Sequence, residues 1–202
     1  AAYHAAAYAD KDYAALDALI EVLTADPSGY LYKNLVETQK VSSLWAYSPT
    51  VRDAGLVYFH FDVPKDKDLE ATKNLVRTEL DKIATIVYTE QDLARAKAKL
   101  LKQIENNKNN TINKAIGYTE IVGAGGYKLA FLYRDNVEKL SLADLNRVAQ
   151  KYFKNNNRTV GIFIPSRDEQ RVKPTEFSNE QIATLTKDYK GKALEKEAAP
   201  FE

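Results

Sequence analysis

In the segment Gly55 to Val63 the residues from Val57 onward alternate: Val57, Phe59, Phe61 and Val63 fall on one side, and Tyr58, His60 and Asp62 on the other. A two-residue period sends successive side chains to opposite faces of a strand, so this segment belongs in a sheet with one buried and one wet face. Sheets of that kind are mostly antiparallel, and their apolar face needs a covering layer. Ser42 to Tyr47 reads as the partner strand of a hairpin, joined through Ser48-Pro49-Thr50. The opening Ala1 to Ala9 reads as a further strand, and Arg158 to Pro165 as a last one with Val160, Ile162 and Ile164 on one face.

The covering layer is written as helices. Tyr13, Leu16, Leu19, Ile20 and Leu23 recur at three and four residues, with Asp10 or Asp12 placed to cap the free N–H groups and Asp26-Pro27-Ser28-Gly29 as the stop. Tyr30 to Glu37 reads as a second, short helix. Leu69, Val76, Leu80, Ile83 and Val87 form one long stripe, and Thr89 to Asp92 has capping-box form ahead of Leu93, Leu100 and Ile104. The short connection predicts an antiparallel helix pair. A helix from Thr111 ends near Gly123-Ala124-Gly125-Gly126, and Ser141 to Asp144 is a second capping box, before Leu145, Val148, Ala149 and Tyr152. The expected fold is α+β: a two-layer domain, an antiparallel sheet with amphipathic helices packed on one face. Residues 1–165 form the module, and 166–202, charged and aperiodic, read as a linker or loosely packed tail. The expected core comprises Leu16, Leu19, Leu23, Val57, Phe59, Phe61, Val76, Leu80, Ile83, Val148 and Ile162.

The chemistry is defined mainly by what is missing. The 202 residues include no cysteine, which excludes disulfides, thiolate zinc sites and thiol nucleophiles together. With 29 basic against 28 acidic residues, intermixed, there is no phosphate-binding footprint and nucleic acid is not an expected partner. No apolar run approaches the roughly 20 residues of a membrane span. The N-terminus Ala1-Ala2-Tyr3-His4 carries no basic or continuous apolar leader, so the chain reads as mature or excised. The two histidines, His4 and His60, belong to no H-x-x-E-H or H-E-x-x-H pattern and read as surface residues. Glu120, Asp135 and Glu138 could serve as acid–base carboxylates, but nothing in their spacing pairs them, and Lys187 to Glu197 reads as a solvated charge run. Gly123 to Gly126 follows a helix and lacks a Lys-Ser pair, so it ends that helix and does not cradle phosphate. No catalytic and no metal-ligating residue is expected in this chain.

Three stretches together resemble a known family. Pro27-Ser28-Gly29-Tyr30-Leu31-Tyr32-Lys33-Asn34-Leu35-Val36-Glu37 is similar to a Gly-(Arg)-Leu-Tyr-x-x-Leu-Val-Glu segment of the pitrilysin/insulinase zinc metallopeptidases. Phe131 to Asp135 resembles another marker of that family. So does Ser141 to Val160, where Leu-Ala-Asp-Leu-x-Arg-Val-Ala-x-Lys-Tyr leads to Asn157-Arg158-Thr159-Val160-Gly161. The likeness covers residues 1–165 in matching order and points to the non-catalytic C-terminal half-module, a half-barrel unit.

The resemblance implies that zinc sits in the catalytic module of the parent protein, whose motif glutamate activates water. Many partner modules supply an arginine and, seven residues later, a tyrosine to hold substrate. The matching positions here are Val36 and Ser43, neither of which offers an arginine's charge-assisted hydrogen bonds. The expected function is therefore a non-catalytic module of a zinc metalloendopeptidase, inactive alone, that closes the peptide chamber and docks a catalytic module of the same chain or a partner subunit. The alternative is a catalytically dead structural or assembly protein of the same fold. A third reading, a free-standing module that adds a peptide strand to its sheet edge, has no specific residue behind it. Family analogy suggests the periplasm. Separated from its partner module, the chain is expected to form a homodimer or to expose an apolar patch of more than a few hundred Å².

Overall fold

The computed structural model describes residues 1–107, 111–165 and 172–191. They form two compact units, Ala1–Ile162 and Phe163–Glu202. The first holds an antiparallel sheet of four strands, β1 (Ala2–Ala5), β2 (Ser43–Tyr47), β3 (Gly55–Asp62) and β4 (Arg158–Thr159), in the order β2-β3-β1-β4. Tyr3 lies opposite Val57 and Arg158, and Trp45 opposite His60, which places the two faces of the alternating segment where its period requires.

The helices are α1 (Tyr13–Thr24), α2 (Leu69–Lys82), α3 (Glu90–Asn107), α4 (Thr111–Gly123), α5 (Lys128–Lys139) and α6 (Leu142–Tyr152). The α1 helix is the centre of the core: Ala15, Leu16, Ala18, Leu19 and Leu23 are fully buried between the sheet and the helical layer. Tyr3, Phe59 and Phe153 close the sheet side as an aromatic trio, with ring centroids 4.8 to 6.1 Å apart. Both capping boxes form: Thr89 with Asp92, and Ser141 with Asp144.

Of the expected core, Leu16, Leu19, Leu23, Val57, Phe59, Leu80, Ile83 and Val148 are buried, Val76 lies at the margin, and Phe61 is partly buried against the same cluster. Ile162 is 48% exposed, because β4 stops at Thr159 and the apolar run beyond it lies outside the sheet. The compact unit ends there, at Ile162, where the sequence suggested 165. Val87 is 88% exposed: α2 stops at Lys82, and a 3₁₀ turn over Ile83–Thr85 takes the chain off the expected stripe. The α2–α3 pair is also not realised, since α3 packs on α1 and α5. The opening strand covers only Ala2–Ala5, and the segment after Gly29 is wound as a π-helical turn over Tyr32–Val36.

In the second unit, Asn179–Thr186 is a helix, α7, opened by a capping box between Ser178 and Gln181, in a stretch that the sequence reading left aperiodic. Its residues are exposed throughout. Lys187 to Gly191 are likewise exposed, and 192–197 of the expected charge run lie outside the described residues.

Candidate functional site: the open face of the sheet

Two features of the first unit concentrate polar or aromatic groups. One is a buried anchor. Of the two acids placed to cap α1, Asp10 or Asp12, the Asp12 side chain makes no cap hydrogen bond, while Asp10 Oδ1 accepts from the Asp12 N–H at 2.8 Å. The Asp12 carboxylate is fully buried and accepts from Arg147, from Lys151 Nζ at 2.6 Å and from Tyr152 Oη at 2.8 Å. Burial alone would raise this acid. The hydrogen bonds from Lys151, Arg147 and Tyr152 outweigh burial and hold the group at about 2. Asp12 thus ties α1 to α6, a structural task with no reacting group near it.

Asp17, within α1, behaves in the opposite way. It lies under Tyr133 of α5, whose hydroxyl donates to Oδ2 at 2.6 Å, and beside the stacked ring of Tyr8. Burial first, then the nearby Glu21 carboxylate, push it up to about 6 despite the hydrogen bond. An acid whose folded value is raised stabilises the fold fully below its unfolded value near 4, and that contribution is lost as pH rises through about 6. Asp17→Asn, which keeps an acceptor for Tyr133, is therefore expected to melt above the wild type at pH 8, with the difference vanishing by pH 4. Equal destabilisation by Asp17→Asn at both pH values would contradict this.

The other feature is the sheet face that the helices leave open. Trp45 and Tyr47 are about half exposed there. Trp45 stacks on His60 across the strand pair (4.9 Å, 14°), and Tyr47 on Tyr58 (5.2 Å, 17°), so two cross-strand pairs make one aromatic ladder. Such pairs belong to an antiparallel register that brings Cβ atoms to about 5 Å. The sequence signal was present, as aromatic residues two apart on the wet side of a strand, but only the register shows that the rings meet.

At the end of the ladder Ser43, His60 and Asp62 come together. Asp62 stands in the middle: Ser43 Oγ donates to Oδ2, and His60 Nε2 is 3.0 Å from Oδ1. These hydrogen bonds, that of Ser43 first, hold the Asp62 carboxyl below its ordinary range. A hydrolytic triad needs the imidazole between acid and hydroxyl, so this order cannot activate the serine. Nor do the two histidines share a metal. His4 lies opposite Leu56, four residues from His60 along β3, which separates them by about 13 Å. Among the described residues no group of three or more His, Asp or Glu gathers to hold an ion. Glu120 is exposed on α4, while Asp135 and Glu138 are both engaged by Arg134. Val36 closes the π-helical turn and packs against the core, and Ser43 is occupied by Asp62.

The profile of the family described as "Peptidase M16 inactive domain" matches residues 1–100. Just under half of the chain, its first hundred residues, carries the M16 inactive-domain signature. The M16 module is similar to the inactive peptidase domain of a protein from Bordetella parapertussis assigned as a zinc protease, with 28% identity and a TM-score of 0.76 over 84% of this chain and 91% of that one. It is also similar to a protein from Bordetella pertussis Tohama I with the same assignment: 27% identity and a TM-score of 0.74, over 82% and 92% of the two chains. A protease from Helicobacter pylori shares the fold at 23% identity and a TM-score of 0.70, over 77% of this chain but 38% of that one. No curated protein matches the chain.

The stretches that carried the family likeness turn out to be joints of the module. Leu31 and Leu35 are core residues, and Tyr133 holds Asp17. Asn157 Nδ2 donates to the carbonyls of His4 and Tyr152, and Arg158 ties β4 to Asp81 and Tyr3. The M16 module is a non-catalytic α+β unit of a peptidase family.

Proposed function

We propose that this M16 module is the non-catalytic half of a pitrilysin/insulinase-type zinc metalloendopeptidase, with its helices outward and its open sheet face toward a peptide chamber completed by the catalytic module. The observation that carries this reading is the aromatic ladder of Trp45, His60, Tyr47 and Tyr58 on the sheet face that the helices do not cover, with Trp45, Tyr47 and His60 exposed and Tyr58 partly so. Flat rings offer a peptide apolar contact whatever its sequence, at little entropic cost. The longer Helicobacter pylori protease, in which the shared fold takes up 38% of the chain, is consistent with a module that works beside others. Zinc and the water-activating glutamate then belong to the catalytic module, and this chain supplies wall and docking surface.

The test combines the module with its catalytic partner and replaces two outward-facing rings together, Trp45→Ser with Tyr47→Ser. Both rings are half exposed, so the fold should persist. The expected result is a rise in KM for a quenched peptide of about 3- to 10-fold, with unchanged zinc content, as fits the loss of aromatic contacts worth about 0.5 to 1.5 kcal/mol. An unchanged KM would remove the ladder from the chamber wall.

A further inference from the structure

Both neighbours of β1 in the sheet run on past its first pair. Ala1 falls opposite Phe59: the Ala1 nitrogen donates to the Phe59 carbonyl at 2.8 Å, and the Phe59 N–H donates back to the Ala1 carbonyl, also at 2.8 Å. In an antiparallel ladder every second residue turns its N–H and C=O to the same side. Phe61 therefore aims its backbone groups along the line of β1, level with a place two ahead of Ala1. The β3 strand itself continues to Asp62, paired with β2 on its other side. Across β1, Ala2 pairs with Thr159; carried on at that register, Gly161 comes level with the place one ahead of Ala1 and Ile162 with the place two ahead. Neighbouring strands lie about 4.8 Å apart, so the lane between Phe61 and Gly161 is one strand wide. Its walls are apolar: Phe61 is partly buried against the core, while Val160 and Ile162 are 43% and 48% exposed.

We propose that this lane is filled by an extended strand collinear with β1, supplied by the polypeptide that leads into Ala1 in the parent protein, with apolar residues two and four places ahead of Ala1, opposite Phe61 and Val63. Ladder groups waiting on the β3 side and a second strand edge on the other fit extended backbone and nothing bulkier. The inserted strand would cover Val160 and Ile162 and lengthen the two-residue β4 into an ordinary strand. The Ala1 nitrogen supports the same occupant. As an ammonium it is desolvated and lies near the Arg158 guanidinium, and both lower its pKa, burial first. A chain amide makes the same hydrogen bond to Phe59 with no charge to strip of water. The inference rests on the reading of this chain as one module of a longer protein.

The test extends the chain by the residues that the parent gene encodes ahead of Ala1, about six, the length of an ordinary strand. A Gly-Ser extension of equal length is the control. The expected result is that amide hydrogen exchange at Phe61 and Gly161 slows about tenfold or more with the parental extension alone, and that the melting temperature rises by several degrees. Replacing the residue two places ahead of Ala1 by Asp should reverse both effects. The same replacement one place ahead, on the open face of the sheet, should not. Equal exchange with the two extensions, protection indifferent to the inward Asp, or a parent chain that begins at Ala1 would each overturn the proposal. So would protection of Phe61 in the unextended chain on adding the quenched peptide, which would assign the lane to substrate. A parent that carries the strand but no zinc module would sink the proposed function alone, so the two failures are distinguishable.

Discussion

Asp12→Ala is expected to destabilise the module by about 2 to 3 kcal/mol, more than any other single polar substitution in it. Removing the carboxylate leaves Arg147, Lys151 and Tyr152 without the acceptor on which they converge. Breaking a buried pair from one side costs about 3 to 5 kcal/mol when both ions are dry. Here Arg147 is 41% and Lys151 52% exposed, so water recovers part of that loss and the expected value falls below the range. The same anchor sets an acid dependence. Asp12 is held at about 2 in the fold, so its contribution is complete above the unfolded value near 4 and drains away as pH falls toward 2. Urea unfolding at pH 7 and at pH 3 checks both: the wild type should lose stability between the two by more than Asp12→Asn does. A loss under 0.5 kcal/mol for Asp12→Ala at pH 7 would show that the anchor is dispensable.

Leu80→Ala is expected to cost about 2 to 5 kcal/mol, through lost transfer energy plus the cavity left behind. The site is 1% exposed, on the inner side of α2, in one core with α1 and β3. Val87→Ala is the internal control. Seven residues further along the stripe, it lies 88% exposed and should change stability by less than about 0.5 kcal/mol. Equal losses at the two positions, measured by denaturant midpoints at constant slope, would mean that α2 continues past Lys82.

Where the sequence was readable, the signal was local and repeated. The β3 alternation fixed its buried face, and the capping boxes at Thr89 and Ser141 fixed where α3 and α6 begin. Where it failed, the decision lay elsewhere in the chain. Val87 and Ile162 continue their patterns in sequence, but the 3₁₀ turn at Ile83 and the end of β4 at Thr159 carry them into solvent. Helix α5 was not recognised because Val137 is its one fully buried residue, while Phe131 and Leu132 point outward, so no single stripe marks it. The grammar of helix starts offered Asp10 or Asp12 as a cap, yet the partners of Asp12 lie on α6, 135 to 140 residues away. The aromatic ladder is of the same kind: Trp45 and His60 are fifteen positions apart in sequence and become a stacked pair only through the β2–β3 register.

In the proposed role this chain contributes surface and not chemistry to peptide hydrolysis. Zinc-assisted attack needs about three protein ligands around one ion and a base within hydrogen-bond reach. Here His4 and His60 lie apart on the sheet, and Asp62 is committed to Ser43 and His60. The direct measurement is metal analysis of the purified chain with a quenched-peptide assay, run with and without a chelator and then with the catalytic module added. The expected result is less than a tenth of an equivalent of bound zinc, no cleavage by the chain alone, and a change in the catalytic module's turnover when the two are combined. One equivalent of tightly held zinc, or chelator-sensitive cleavage by the chain alone, would contradict it.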